Sequence, residues 1–172
     1  MRNQRGSTFI ELLLYIGIVG VIMVTAASFL MNLLTSRAKV TASSEVLSNA
    51  RLIQDRLHDA ARHAQGINTG SSTFGSDPGA LSFNMVSAGV DPTVFSLTTN
   101  DGQFQVSEGS GGNVTVSATD VQVTNLVFTN LTSTQDTGII QVQFTLTAVN
   151  ASGSSQFDYE ESFQTTLRIP LD

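Results

Sequence analysis

From Phe9 to Leu34 the chain is apolar almost throughout, and Glu11 is the single charge in that run. No proline interrupts it, and as a helix it would be about 39 Å long at ~1.5 Å per residue, more than the ~30 Å of a bilayer core. From Thr35 to Gln65 the pattern changes without a break. Val46 or Leu47, Ala50, Ile53, Leu57, Ala60 or Ala61 and Ala64 recur at steps of three and four, while Arg51, Asp55, Arg56, Asp59 and Arg62 fall between them. That spacing predicts an amphipathic helix. Arg51 with Asp55 and Asp59 with Arg62 would add helical ion pairs of about 0.2–0.5 kcal/mol each. Gly66 followed by Ile67 predicts a C-cap, so one helix is expected from about Ser7 to Gln65.

Beyond Gly66 the period becomes two. Ile140, Val142, Phe144, Leu146 and Ala148 alternate with Gln141, Gln143, Thr145 and Thr147, the pattern of a half-buried strand. Phe157, Tyr159, Phe163, Leu167 and Ile169 keep the same parity up to Pro170. Shorter candidates are Leu81–Val86, Val94–Thr98, Gln103–Ser107, Val114–Ser117 and Val121–Thr129. Turn chemistry separates them at Asp77-Pro78-Gly79, Asp91-Pro92, Asn100-Asp101-Gly102 and the glycine cluster Gly109–Asn113. Asn100-Asp101-Gly102 predicts a tight hairpin. The expected class is α+β: a long N-terminal helix whose amphipathic half covers one face of a C-terminal antiparallel sheet. The expected organisation is 1–6 as a leader, 7–34 as a membrane and assembly helix, 35–65 as its amphipathic continuation and 66–172 as a β-rich head.

Charge sharpens this division. From Gly66 onward one basic residue, Arg168, stands against ten acidic ones, whereas Thr35–Gln65 carries five basic and three acidic. A head with a balance of −9 repels phosphate backbones, so no nucleic-acid partner is expected. With no cysteine, neither a disulfide nor a thiolate metal site can form.

Glu11 is the residue that asks for an explanation. A lone ionised carboxylate at the centre of a membrane helix costs about 2.5–3.5 kcal/mol on insertion scales. Here it follows a short basic leader (Arg2, Arg5), Gly6 and the four uncharged residues Ser7-Thr8-Phe9-Ile10. This arrangement resembles the class III signal of type IV prepilins and type II secretion pseudopilins. The resemblance implies cleavage by a prepilin peptidase between Gly6 and Ser7 and N-methylation of the new Ser7 amine. It implies that Glu11 neutralises the N-terminal amine of an adjacent subunit, with Phe9, Gly17 and Gly20 joining it as assembly residues. Arg2 and Arg5 keep the N-terminus cytoplasmic. The implied partners are that peptidase, other pilin or pseudopilin subunits, an inner-membrane assembly platform, and lipid before assembly. The location is the inner membrane as a single pass, with the head extracytoplasmic, and then a filament. The chain departs from the family pattern in three ways. The first mature residue is Ser7 where phenylalanine or methionine is usual. Ser28 stands where many major pilins have a proline, so any kink must come from Gly17 and Gly20. The C-terminal loop cannot be closed by a disulfide.

The segments 48–57 and 121–128 look like minor pilins or J-type pseudopilins, which implies a minor or tip subunit. A major pilin and a membrane-anchored head that never polymerises are the alternatives. An ordinary secretory signal with Val24 and Ala26 at its cleavage site is the rival reading of the N-terminus. Glu11 inside the apolar region and the continued run Phe29–Leu34 argue against it.

No catalytic pattern emerges, and neither an enzyme, a cofactor nor a metal is expected. His58 and His63 are five apart, on different sides of a helix. Gly109-Ser110-Gly111-Gly112 follows a short strand and opens no helix, so it reads as a turn. Asp91, Asp101, Asp120 and Asp136 lack the spacing of a calcium loop. Asn113, Asn130 and Asn150 begin Asn-x-Ser/Thr sequons of the kind that chance supplies in a chain this rich in Asn, Ser and Thr. The phenylalanines fall mostly at inward strand positions and read as core.

Overall fold

A computed structural model describes residues 8–132, 137–149 and 158–170. The chain divides into two compact units, Met1–Ala38 and Lys39–Asp172. Helix α1 covers Phe9–His63 and contributes to both.

In the first unit α1 presents its side chains outward: Phe9, Leu13, Ile16, Val21, Met23, Phe29 and Leu30 are all exposed. The helix passes through Gly17, Gly20 and Ser28 without interruption. Its hydroxyls are served internally. Thr25 Oγ1 donates to the carbonyls of Val21 (3.1 Å) and Ile22 (2.9 Å), and Ser28 Oγ donates to that of Val24 (3.0 Å). Back-bonding of this kind lets a polar residue sit in a helix that has no water beside it.

In the second unit the amphipathic stripe is buried as expected. Ala42, Val46, Asn49, Ala50, Ile53, Leu57 and Ala61 are the buried positions of α1. Apart from Asn49, they join one hydrophobic cluster with Leu81, Phe83, Phe95, Phe104, Leu126, Phe128 and Phe144. Each fully buried Leu, Ile or Phe side chain contributes about 1.5–3 kcal/mol. Three ring pairs tie strands together: Phe83 with Phe95 edge-on at 6.1 Å, Phe95 stacked on Phe104 at 5.8 Å, and Phe144 stacked on Phe163 at 5.4 Å.

The helix ends differently from the expectation. Strand β1 (Ala64–Ile67) follows His63 directly, and Gly66 pairs with Asn84 in a ladder rather than forming a left-handed cap. The last turn is closed instead by His63, whose Nδ1 donates to the Asp59 carbonyl at 2.8 Å. Five strands then form a sheet in chain order: β1, β2 (Leu81–Met85), β3 (Thr93–Leu97), β4 (Phe104–Glu108) and β5 (Val114–Thr115), antiparallel throughout. The Asn100-Asp101-Gly102 hairpin forms as predicted. Thr98 N–H reaches the Gln103 carbonyl at 2.9 Å, and Gly102 takes φ +59°.

A single sheet was expected, and the structure has two. The second contains β6 (Val121–Asn130), β7 (Thr137–Ala148) and β8 (Glu160–Pro170). The reason lies at the outer edge of β6, where loops take the bonds a sixth strand would have made. Asp77 Oδ1 accepts Leu126 N–H, Gly79 N–H donates to Leu126 O and Gly75 N–H to Phe128 O, each at 2.8 Å, while Gly102 O accepts Val123 N–H at 2.7 Å. Gly79 must be glycine for this approach, since a Cβ there would meet Phe128 Cδ2 at 2.9 Å. A bulge between Val123 and Asn125 resets the parity of β6, so that Val123 and Leu126 both face the core. β8 pairs with β7 without a shift from Thr137↔Pro170 to Thr147↔Glu160. Phe157 and Asp136 lie outside the described residues.

Candidate functional site

The residues that the sequence offers as candidates for assembly lie in the first turns of α1. Thr8 precedes the helix, and its carbonyl accepts the N–H groups of Glu11 (3.0 Å) and Leu12 (3.2 Å). Thr8 and Glu11 therefore stand at the N-cap and N3 positions, the spacing of a capping box. The carboxylate is in the first turn, where the positive end of the helix dipole favours it. Tyr15, one turn later, donates its phenolic hydroxyl to Glu11 Oε1 at 3.4 Å. Phe9 is 76% exposed, and the space where Gly17 and Gly20 would carry a Cβ is open to at least 4 Å. Gly6 and Ser7, with Arg2 and Arg5, lie outside the described residues. Thr8 and Tyr15 escaped the sequence reading. The Thr-x-x-Glu spacing and the i, i+4 step from Glu11 to Tyr15 were the available signals.

The remaining candidates have structural surroundings. His58 Nε2 meets Thr165 Oγ1 at 3.0 Å, while His63 caps its own helix, so the two rings serve separate partners. Asp91 Oδ1 accepts Met85 N–H at 2.8 Å and locks a turn, as Asp77 does for β6. Among the described residues no group of three or more His, Asp or Glu gathers to hold a metal ion. Gly109 takes φ +56° in the turn from β4 to β5, where Gly111 N–H donates to Glu108 O at 2.9 Å. Asn113 and Asn130 are exposed, and Asn150 lies outside the described residues. A groove of about 640 Å³ in the second unit is lined by Arg56, Ala60, His63, Met85, Val90 and Phe95 among others. Its charged members Arg56, Asp59, Arg62 and Glu108, and His63 beside them, are all exposed.

Residues 1–27 match the prokaryotic N-terminal methylation motif. That motif is the class III signal peptide of type IV pilins and pseudopilins, the substrate signal for prepilin peptidase. The chain carries this signal at the start of one long, apolar N-terminal helix, followed by an α+β body of antiparallel sheets, an architecture consistent with a pilin-like fold. Near the N-terminus α1 is long and apolar enough to cross a membrane once. No curated protein and no solved structure matches the chain.

Proposed function

We propose that this protein is a structural, non-catalytic subunit of a type IV pilus-like or type II secretion pseudopilus filament. The observation that carries this reading is Glu11, a carboxylate in the first turn of an exposed apolar helix that begins within the methylation motif. Prepilin peptidase cuts between Gly6 and Ser7, and the Ser7 amine becomes the mature N-terminus and the site of methylation. Before that cut Arg2 and Arg5 hold the N-terminus of the precursor on the cytoplasmic side of the inner membrane, and the mature subunit stays in that membrane until assembly. The assembly platform then moves it from lipid into a filament, where apolar helices pack on one another. Phe9 adds apolar area to that contact, and the open backbone at Gly17 and Gly20 lets a neighbouring helix approach.

Glu11 sets the register of this packing. A carboxylate in hydrocarbon is tolerated when paired, and the Ser7 amine of an adjacent subunit supplies the charge. A minor or tip position is supported by the likeness of 48–57 and 121–128 to minor pilins and J-type pseudopilins. The test is Glu11→Leu in the full chain, read as the fraction of protein recovered in sheared filaments. The proposal expects that fraction to fall about tenfold or more, the effect of losing a desolvated ion pair. Unimpaired incorporation would remove the pairing argument, and absence of the parent chain itself from filaments would favour an anchored head that does not polymerise.

A further inference from the structure

We propose that Tyr15 is a positioning residue for Glu11: its hydroxyl holds the carboxylate in lipid and keeps it aimed for the incoming amine. This rests on the assembly role proposed above for Glu11. The geometry follows from the helix itself. Each Cα–Cβ bond tilts toward the N-terminus, so a long side chain lies over the preceding turn and meets the residue four positions back. Tyr15 does this, with its hydroxyl 3.4 Å from Glu11 Oε1. The ring itself is 57% exposed along the helix surface. A phenol suits that place, because its apolar body tolerates lipid while its hydroxyl serves a polar group.

In the hydrocarbon, water is not there to satisfy a carboxylate, so donors must come from protein. A hydroxyl one turn away is such a donor, and it travels with the subunit from membrane to filament. A carboxylate has two oxygens and about four lone-pair positions, so the phenol and a neighbour's amine can engage it together. Phenylalanine at this position would keep the ring and remove only the donor.

Two measurements test this. In the first, the full chain and its Tyr15→Phe variant are expressed in cells, and incorporation into sheared filaments is compared. Without the donor the carboxylate can turn away from the incoming amine, and the worth of one hydrogen bond to a charged group makes the expected decrease up to about tenfold. Incorporation equal to the parent would overturn the inference. In the second, Tyr159→Phe leaves Tyr15 as the one tyrosine in a chain with no tryptophan. Its emission is read in vesicles of phosphatidylethanolamine and phosphatidylglycerol. A carboxylate acceptor quenches tyrosine, so adding Glu11→Leu should raise the emission; an unchanged emission would show that the contact is absent. Normal assembly of Glu11→Leu would sink the pairing itself. Impaired assembly of Glu11→Leu beside normal assembly of Tyr15→Phe would sink only the role given to Tyr15.

Discussion

Replacing Asn49 with alanine should loosen the second unit measurably, although Asn49 belongs to no catalytic or apolar set. Asn49 is 8% exposed on the buried stripe of α1. Its Nδ2 donates to the Glu45 carbonyl at 2.9 Å, and its Oδ1 accepts Ala118 N–H at 2.8 Å. The second bond pins the helix to the crossing from β5 to β6. Next to it, buried Ser117 accepts Phe104 N–H at 2.9 Å. Removing the side chain orphans the Ala118 donor, a loss of about 1–3 kcal/mol where water is excluded. Alanine returns roughly 0.6 kcal/mol through better helix propensity. The net expectation is a loss of about 1–2 kcal/mol. Urea unfolding of the full chain in detergent, followed by circular dichroism, should show the midpoint falling by roughly 0.5–1 M at an ordinary m-value. Ser48→Ala, on the exposed side of the same turn, serves as the control and should stay within about 0.5 kcal/mol of the parent. If Asn49→Ala and Ser48→Ala unfold together, the side chain is not holding the crossing and the reasoning fails.

The same unfolding assay checks three further substitutions. Leu57→Ala empties a fully buried position and should cost about 2–5 kcal/mol, whereas Leu47→Ala, on the open side of α1, should change stability by less than about 0.5 kcal/mol. Gly102→Ala forces a side chain onto φ +59° with its Cβ 2.9 Å from the Val123 carbonyl oxygen, and should cost about 1–3 kcal/mol. Gly17→Ala meets nothing within 4 Å and gains helix propensity, so it should not lower stability while weakening incorporation into filaments.

The helix and most strands were legible because their periodicities are long and uninterrupted. The stripe from Val46 to Ala61 and the alternation from Ile140 to Ala148 each repeat enough times to fix a face. Strand β1 was missed because Ala64–Ile67 is short and continues the helical pattern, and Gly66 looked like a cap when it is a ladder residue. The split into two sheets was not legible either. It depends on loop atoms of Asp77, Gly79, Gly75 and Gly102 reaching a distant strand edge, and local patterning carries no record of that. Asn49 was passed over for a related reason, since a polar residue on an apolar stripe declares itself only through its partner at Ala118. At the N-terminus the balance is reversed. Glu11 was conspicuous by its charge in an apolar run, and Tyr15 was concealed by looking like one more hydrophobic residue.

The processing step is where the account is most exposed, and the intact mass of the protein purified from its native cells reads it directly. The prediction is a chain lacking Met1–Gly6, beginning at Ser7 and carrying one added methyl group. A chain that retains Met1–Gly6, or one cut near Ala26 and so deprived of Glu11, would contradict it.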